Sequence, residues 1–413
     1  MKFKLTALEK KWILYDIGNS AFIMLCTTII PIYFNYLAEQ QNLSSVDYLA
    51  YWGYASSVIT LIVVILGPVL GAIADQKNRK RPLFLFTILI GSIGCVALGF
   101  AQTWILFLVI FITAKVGYST SLIFYDSMLT DITSEERMDS VSSSGYAWGY
   151  IGSCIPFVVC LLLVLGSGSI GLSMTTAMAL AFLVTSLWWI ACSLPIYKSY
   201  SQIHFVEKRK GALNSAFSQL WHSLIEISHN KQIFFFLLAF FCYIDGVYTI
   251  IDMATAYGSA LGLDSAGLLL ALLVTQIVAF PATIIFGRLS RKYNATKLIP
   301  VCIVAYMGVV IFAFFMTKQI HFWILAVWVG MFQGGVQSLS RSYFAKIIPP
   351  EKSSEYFGIL DICGKGASFL GTTLIGVISQ ATGSVNNGIL VLIVLFIIGL
   401  FLFLRAAKYT RTA

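Results

Sequence analysis

Polar breaks divide the chain into twelve apolar blocks, at residues 12–38, 48–74, 83–100, 104–126, 141–165, 172–196, 233–257, 266–286, 298–316, 322–343, 356–380 and 389–404. Each is close to or above the roughly 20 residues that carry a helix across a bilayer. Unbroken runs such as 389–404 lack the alternation over roughly ten residues that marks an outer-membrane strand, so the pattern predicts an all-α integral membrane protein with twelve transmembrane helices. The longest polar stretch, 198–230, follows the sixth block and separates a six-span bundle at 1–197 from a second at 231–413. Within it Leu213, Phe217, Leu220, Trp221 and Leu224 recur at helical spacing beside Lys208, Arg209 and Lys210, which predicts an amphipathic linker helix on the inner membrane surface.

Composition agrees with the pattern. The chain is 58% hydrophobic and 11% charged, against about 25% charged in soluble domains, so a soluble enzyme is excluded. The net charge of +9, from 27 basic and 18 acidic residues, reports topology before it reports any nucleic-acid partner. Lys2, Lys4, Lys10 and Lys11 lead straight into a span too long for a cleavable signal, which places the N-terminus in the cytoplasm. In that topology the inner connections carry Lys77, Arg79, Lys80, Arg81, Arg137, Lys198, Lys231, Arg288, Arg291, Lys292, Lys297, Lys346 and Lys352, and the outer ones only Lys318. With Arg405, Lys408 and Arg411 at the end, both termini are expected in the cytoplasm of a multi-pass protein of a bacterial plasma membrane. The eight cysteines all fall inside apolar blocks with no CxxC pair, and the four histidines sit at segment edges or in the linker. No metal or cofactor is therefore expected. A Walker loop, a nucleotide fingerprint and a catalytic triad context are equally missing from the sequence, so ATP-driven transport on this chain and enzymatic activity are not expected. A monomer embedded in lipid, handling a small molecule, is the expected state.

The two halves echo each other. Gly71, Asp75 and Arg79, with Lys80 and Arg81 trailing, follow the second span; Gly287, Arg291 and Asn294 follow the eighth; and the loop 131–137 corresponds to 346–352. Gly-x-x-x-Asp-x-x-x-Arg between spans two and three resembles the major facilitator signature. Span one (Trp12, Tyr15, Asp16, Asn19, Ser20, Phe22), span seven (Tyr243, Asp245, Gly246), span ten (Gln333, Gln337, Ser340, Arg341, Lys346, Pro349) and Glu355 to Gly358 narrow the resemblance to the vacuole-effluxer, Atg22-like branch of that superfamily. The resemblance covers essentially the whole chain. It implies two pseudo-symmetric six-helix bundles, a cavity lined by spans one, four, seven and ten with eleven beside it, and secondary transport by alternating access. It also implies that Asp75, Arg79 and Arg81 form a cytoplasmic gate in which the Asp75 carboxylate meets the start of span eleven, where free amides favour an anion. Fungal members are associated with amino-acid efflux.

Charge placement points the same way independently. Spans three, six, nine and twelve carry no Asp, Glu, Lys or Arg, whereas Asp16, Lys115, Asp126, Asp245, Asp252, Arg341, Asp361 and Lys365 lie inside spans one, four, seven, ten and eleven. A charge at the bilayer centre costs at least about 2.5 to 3.5 kcal/mol, so its restriction to these spans predicts a polar cavity. Lys115 and Asp126 share a helical stripe with Tyr118; Asp245 and Asp252 share one with Tyr248; Gln333, Gln337 and Arg341 follow at steps of four. Asp361 and Lys365 are an i,i+4 pair, open to mutual neutralisation or to a substrate role. With Asn19 from the span-one motif, these thirteen residues form the candidate binding and coupling set. They suit a small polar or zwitterionic solute, an amino acid or short peptide, with protons as a candidate coupling ion through Asp245. A lipid-like amphipathic cargo, which an apolar half-cavity would favour, and a non-transporting sensor or scaffold are the competing readings. Finally, aligning Glu136-Arg137 with Glu351-Lys352 gives an offset of 215, which sets Asp126 opposite Arg341 at equivalent heights. Either the two meet across the halves, or Arg341 stays within its own half with Asp361.

Overall fold

The computed structural model describes residues 4–169, 171–207, 212–260, 262–383 and 385–409. The first half contains α1 (Ala7–Thr27), α2 (Ile29–Gln40), α3 (Ser45–Ala74), α4 (Lys80–Leu98), α5 (Trp104–Ser127), the short α6 (Leu129–Ile132), α7 (Glu135–Leu165) and α8 (Met174–Ser199). After the linker helix α9 (Ala212–His229) come α10 (Lys231–Ala260), α11 (Ser265–Leu289), α12 (Ala295–Phe314), α13 (Gln319–Ile347), α14 (Ser353–Thr382) and α15 (Val385–Tyr409). Twelve spans among the described residues are long and apolar enough to cross a membrane. Helices suit that solvent because every backbone polar group is satisfied within the segment. At the end remote from the termini, Ser44, Thr103, Ser173 and Asp264 cap α3, α5, α8 and α11 with side-chain oxygens.

The first span differs from the unbroken helix expected over 12–38. It breaks at Thr28, where φ is −127° and ψ −71°. Pro31 explains the break: it has no N–H to offer the carbonyl of Thr27, and the ring crowds that carbonyl. The Thr28 hydroxyl donates instead to the Met24 carbonyl at 2.6 Å.

Within the first half α1 packs on α7 and α8, and α4 on α5 and α8; within the second, α10 packs on α14 and α15, and α11 and α12 on α13. Two seams join the halves, α3 against α14 and α7 against α11. Both close tightly at the end that carries the termini. There Gly358 of α14 sits so close to α3 that a Cβ would stand 2.8 Å from the backbone of Gly67 and Pro68. On the other seam a Cβ on Gly287 would stand 2.8 Å from that of Ser143, and the Ser140 hydroxyl donates to the Gly287 carbonyl at 2.8 Å. Toward the opposite end the first seam opens: Cβ atoms on Gly53 of α3 and Gly376 of α14 would meet nothing within 4 Å among the described residues. The two bundles therefore diverge away from the termini.

The linker is tied to both halves. Val206 donates to the Asp75 carbonyl at 2.8 Å and accepts from Lys77 at 3.3 Å. Helix α9 packs on α3 and α10, and its Glu226 pairs with Lys352 at 2.7 Å. Ile227 is buried, while Trp221 is 66% exposed beside the exposed Leu224 and Ile225. Lys2, Lys208, Arg209, Lys210 and Arg411 lie outside the described residues, as do the side chains of Leu213 and Phe217.

Closure at the terminal end depends on small residues at the seam. Gly358→Val is expected to lower stability in denaturant or thermal unfolding by about 1 to 3 kcal/mol, since neither α3 nor α14 can yield without shifting. Gly376→Val, which faces open space, should stay within about 0.5 kcal/mol of the parent.

Candidate functional site

Arg341 dominates the interface. It rises from α13 in the second half, is 4% exposed, and spends its donors on the first half. Its Nη1 donates to Asp126 Oδ1 at 2.9 Å, its Nε to the Ser142 hydroxyl at 2.9 Å and its Nη2 to the Ser142 carbonyl at 3.0 Å, with Asp16 Oδ2 3.5 Å from Nη2. The guanidinium plane is held between rings, 4.7 Å from Trp12, 4.3 Å from Tyr146 and 5.5 Å from Tyr125. Trp12 is itself stacked on Tyr125 at 4.3 Å and donates to that residue's carbonyl at 2.9 Å. Gly145 makes the room, because a Cβ there would lie 2.8 Å from Asp16 Oδ2 and 3.1 Å from Arg341 Nη2. Of the two pairings open from sequence, the structure contains the cross-half one. Asp361 pairs with Lys365 on its own helix instead.

Toward the terminal end lies a second tier. Lys346 meets Asp139 at 2.8 Å, Ser142 donates to the Ser338 carbonyl at 2.8 Å, and Ser127 and Ser354 share a hydrogen bond of 2.9 Å. Asp75 accepts from the backbone amides of Ser354 and Glu355, both at 2.9 Å, at the start of α14. Burial pushes its carboxyl up to about 6, opposed by Lys80 and by the two amides. The basic partner is Lys80, wholly buried, 3.8 Å from both Asp75 and Asp131 and donating to Ser353 at 2.9 Å. Asp131 also accepts from the Tyr200 hydroxyl and, at 3.0 Å, from the His204 amide. Arg79 and Arg81, the gate cations expected from sequence, are exposed, and Arg81 lies over the Tyr197 ring at 4.5 Å. The left-handed turn at Asn78 (φ 62°) redirects the basic run so that its third member faces inward.

On the other side of Arg341 the remaining candidates face a shared space. Tyr248 is within electrostatic range of Asp126, Asp252, Asp361 and Arg341, and Lys365 within range of Lys115 and Asp126. Lys115 lies over the Tyr118 ring at 4.9 Å and has no ion pair among the described residues. Asn19 is buried beside Asp16, its amide donating to the Tyr15 carbonyl at 3.2 Å. Gln337 is half-buried, and Asp252 exposed where the halves diverge. Two candidates turn away. Asp245 is fully buried within the second half, Oδ1 accepting from Gly371 N at 3.0 Å and Thr249 at 3.3 Å, while Oδ2 has no hydrogen-bond partner among the described residues. Gln333 lines a separate cavity inside the second half. Steps of four advance about 40° each around a helix, so Gln333 stands about 80° from Arg341 and does not share its face.

Two bundles joined by an ion-paired seam at one end and diverging at the other, with charge concentrated between them, form a major facilitator transporter. Residues 8–410 match the family described as vacuole effluxer Atg22 like, and the chain belongs to that family. It is similar to the MFS-type transporter YxiO of Bacillus subtilis, 39% identical over all of this chain and 97% of that protein. Among solved structures it resembles the human organic anion transporter MFSD10 (TM-score 0.74, 12% identity, covering 96% of this chain and 99% of that one). It also resembles FucP in the outward conformation (TM-score 0.69, 15% identity, 97% of each chain). The protein is an integral, multi-pass membrane transporter of the major facilitator type.

Because Arg341 and Asp126 share one partly buried contact, their substitutions should not add. Asp126→Asn and Arg341→Gln are each expected to expose a cysteine placed at Ser127 to a polar thiol reagent, and the double variant to add little to either. The expected coupling is about 1 to 3 kcal/mol in a double-mutant cycle on the accessible fraction.

Proposed function

We propose that the protein is a secondary transporter of a small zwitterionic solute, and that the observation carrying this reading is the charge balance around Arg341. Three cations (Lys115, Arg341, Lys365) and three carboxylates (Asp16, Asp126, Asp361) face the interface. Arg341 is shared by two acids, so that cluster retains a negative excess, while Lys115 is the complementary cation. A solute with an amine at one end and a carboxylate at the other neutralises both. Eleven residues separate Lys115 from Asp126, a rise of about 16 Å along α5 before side-chain reach is subtracted. An extended peptide gains about 3.3 to 3.6 Å per residue, so a short peptide bridges the two better than a single amino acid.

The terminal end carries the basic connections and is assigned to the cytoplasm, in a bacterial plasma membrane. The structure is then the outward-facing state, in which Arg341 plugs the inner side. The halves 1–197 and 231–413 rock about this seam. When the inner side opens, Arg341 withdraws, and Asp16 and Asp126 take a cation from the cytoplasm: the solute's amine or a proton. Asp245 serves proton coupling. It is a buried carboxylate without a cationic partner among the described residues, and such a group is tolerated in an apolar setting only with a proton or a counter-charge.

Counterflow into proteoliposomes tests the reading. Tri-alanine loaded on one side is expected to drive uptake of labelled tri-alanine, with Lys115→Gln raising KM roughly tenfold and leaving the N-acetylated, C-amidated peptide unaffected. Asp245→Asn should retain exchange while losing accumulation driven by a pH gradient. If no peptide or amino acid is exchanged, or if Asp245→Asn still concentrates solute in response to pH, the corresponding part of the reading fails.

A further inference from the structure

The slot that holds the Arg341 guanidinium is built by the first half. α1 supplies Trp12 and Asp16, α5 supplies Tyr125 and Asp126, and α7 supplies Ser142 and Tyr146. Its walls are fixed by contacts that do not involve the arginine. Trp12 and Tyr125 are wholly buried, stacked at 4.3 Å, and joined by the indole N–H donating to the Tyr125 carbonyl at 2.9 Å. Tyr125 packs in turn on the Tyr15 ring at 4.6 Å, and the Tyr15 hydroxyl shares a hydrogen bond of 2.6 Å with that of Ser121. The Asn19 amide steadies Asp16, donating to Oδ1 at 3.4 Å. All of these contacts lie within the first half, so withdrawal of Arg341 leaves the slot standing with two carboxylates in it. The slot also offers more than Arg341 takes. The guanidinium reaches Asp126 and both oxygens of Ser142, whereas Asp16 Oδ2, 3.5 Å from Nη2, makes no hydrogen bond among the described residues. Asp16 is 6% exposed, so this oxygen is a buried acceptor still without a donor.

We propose, resting on the transporter reading above, that the slot is the binding site for the solute's cationic end once the inner side opens, and that this cationic end is a guanidinium. Charge comes first: two carboxylates among buried rings call for a cation when Arg341 leaves. Shape then separates the cations. A guanidinium is flat, stacks on aromatic faces and presents its donors as a rigid fork, whereas an ammonium brings a compact charge that recovers neither the stacking nor the fork. A guanidinium free of the α13 backbone can also turn toward Asp16 Oδ2, the acceptor that the tethered one leaves unmet. Finally, a cycling transporter needs its two states close in free energy, and exchanging one guanidinium for another in the same slot keeps them close. Arg341 is then a competitor of the solute. Its return on closure displaces the bound guanidinium into the space between the halves, where Lys115 meets the solute's carboxylate.

Equilibrium binding of radiolabelled methylguanidinium to the full-length protein in lipid nanodiscs tests the site, with methylammonium as the competitor that carries charge without the planar fork. Arg341→Ala empties the slot and is expected to tighten methylguanidinium binding by about tenfold or more, because the competing side chain is gone. Unlabelled methylguanidinium should displace the label at about one tenth of the concentration that methylammonium needs. Adding Asp126→Asn to Arg341→Ala is expected to weaken binding by about tenfold, the loss of a charge-assisted hydrogen bond. In the protein with Arg341 intact, methylguanidinium should raise the reactivity of a cysteine at Ser127 toward a polar thiol reagent, since it binds only the state from which Arg341 has withdrawn. That readout decides the matter even where Arg341→Ala does not elute as a monodisperse species. Equal competition by methylammonium, binding no tighter in a monodisperse Arg341→Ala, binding indifferent to Asp126→Asn, or unchanged reactivity at Ser127 would overturn the proposal. Tri-alanine exchange without methylguanidinium binding would strike this inference alone; selective methylguanidinium binding without exchange of any peptide or amino acid would support the slot and strike the zwitterion reading alone.

Discussion

A guanidinium from one half of the protein is buried in the other. Arg341 leaves its own bundle to reach Asp126, Asp16 and Ser142 between three aromatic rings, and the rest of the arrangement follows from that insertion. Removing one partner of a fully buried pair costs roughly 3 to 5 kcal/mol; here Asp126 keeps 25% exposure and Asp16 also faces the guanidinium, so breaking the pair costs less than that. The contact cannot loosen gradually. Either the halves are closed here with the pair intact, or they have parted far enough for water to replace it, and such a contact suits the two-state cycle proposed above.

The packing around the pair makes the closed arrangement self-consistent. Pseudo-symmetry places Gly67 and Gly358 on one seam and Gly287 and Ser143 on the other, so the backbones approach closely on both flanks of Arg341. Asp75 then reaches the free amides at the start of α14, and Lys80 lies between Asp75 and Asp131 in a site with no solvent exposure. Hydroxyl pairs between Ser127 and Ser354 and between Ser143 and Ser338 satisfy the polar groups that such close approach would otherwise strand. At the opposite end, Gly53 and Gly376 face open space, and the bundles part.

Much of this could be read from residue order. Apolar blocks mark the spans, because a bilayer tolerates little else, and the offset of 215 between the halves sets Asp126 opposite Arg341. What sequence spacing missed was local rotation. Lys80 proved to be the buried member of a basic run, since one left-handed residue at Asn78 turns the chain just before α4. Gln333 drifted off the face of Arg341 because 3.6 residues per turn does not divide eight. Asp245 and Asp252 share a stripe, yet one is buried against α14 through Gly371 and the other is exposed, a difference set by packing inside the second half that spacing does not report. The aromatic niche of Trp12, Tyr125 and Tyr146 was invisible because aromatic residues abound in these spans, and only tertiary packing selects three of them.

Spin-label distances would test the central role of Arg341 most directly. Labels at Lys77 and Glu351 span the terminal end, and labels at Gln102 and Lys318 span the opposite end. Genetically encoded label sites avoid the eight free cysteines. If Arg341 holds the inner side shut, Arg341→Gln lengthens the first distance and shortens the second, with both populations resolved in the same sample. Unchanged distributions at both ends in Arg341→Gln would contradict the account.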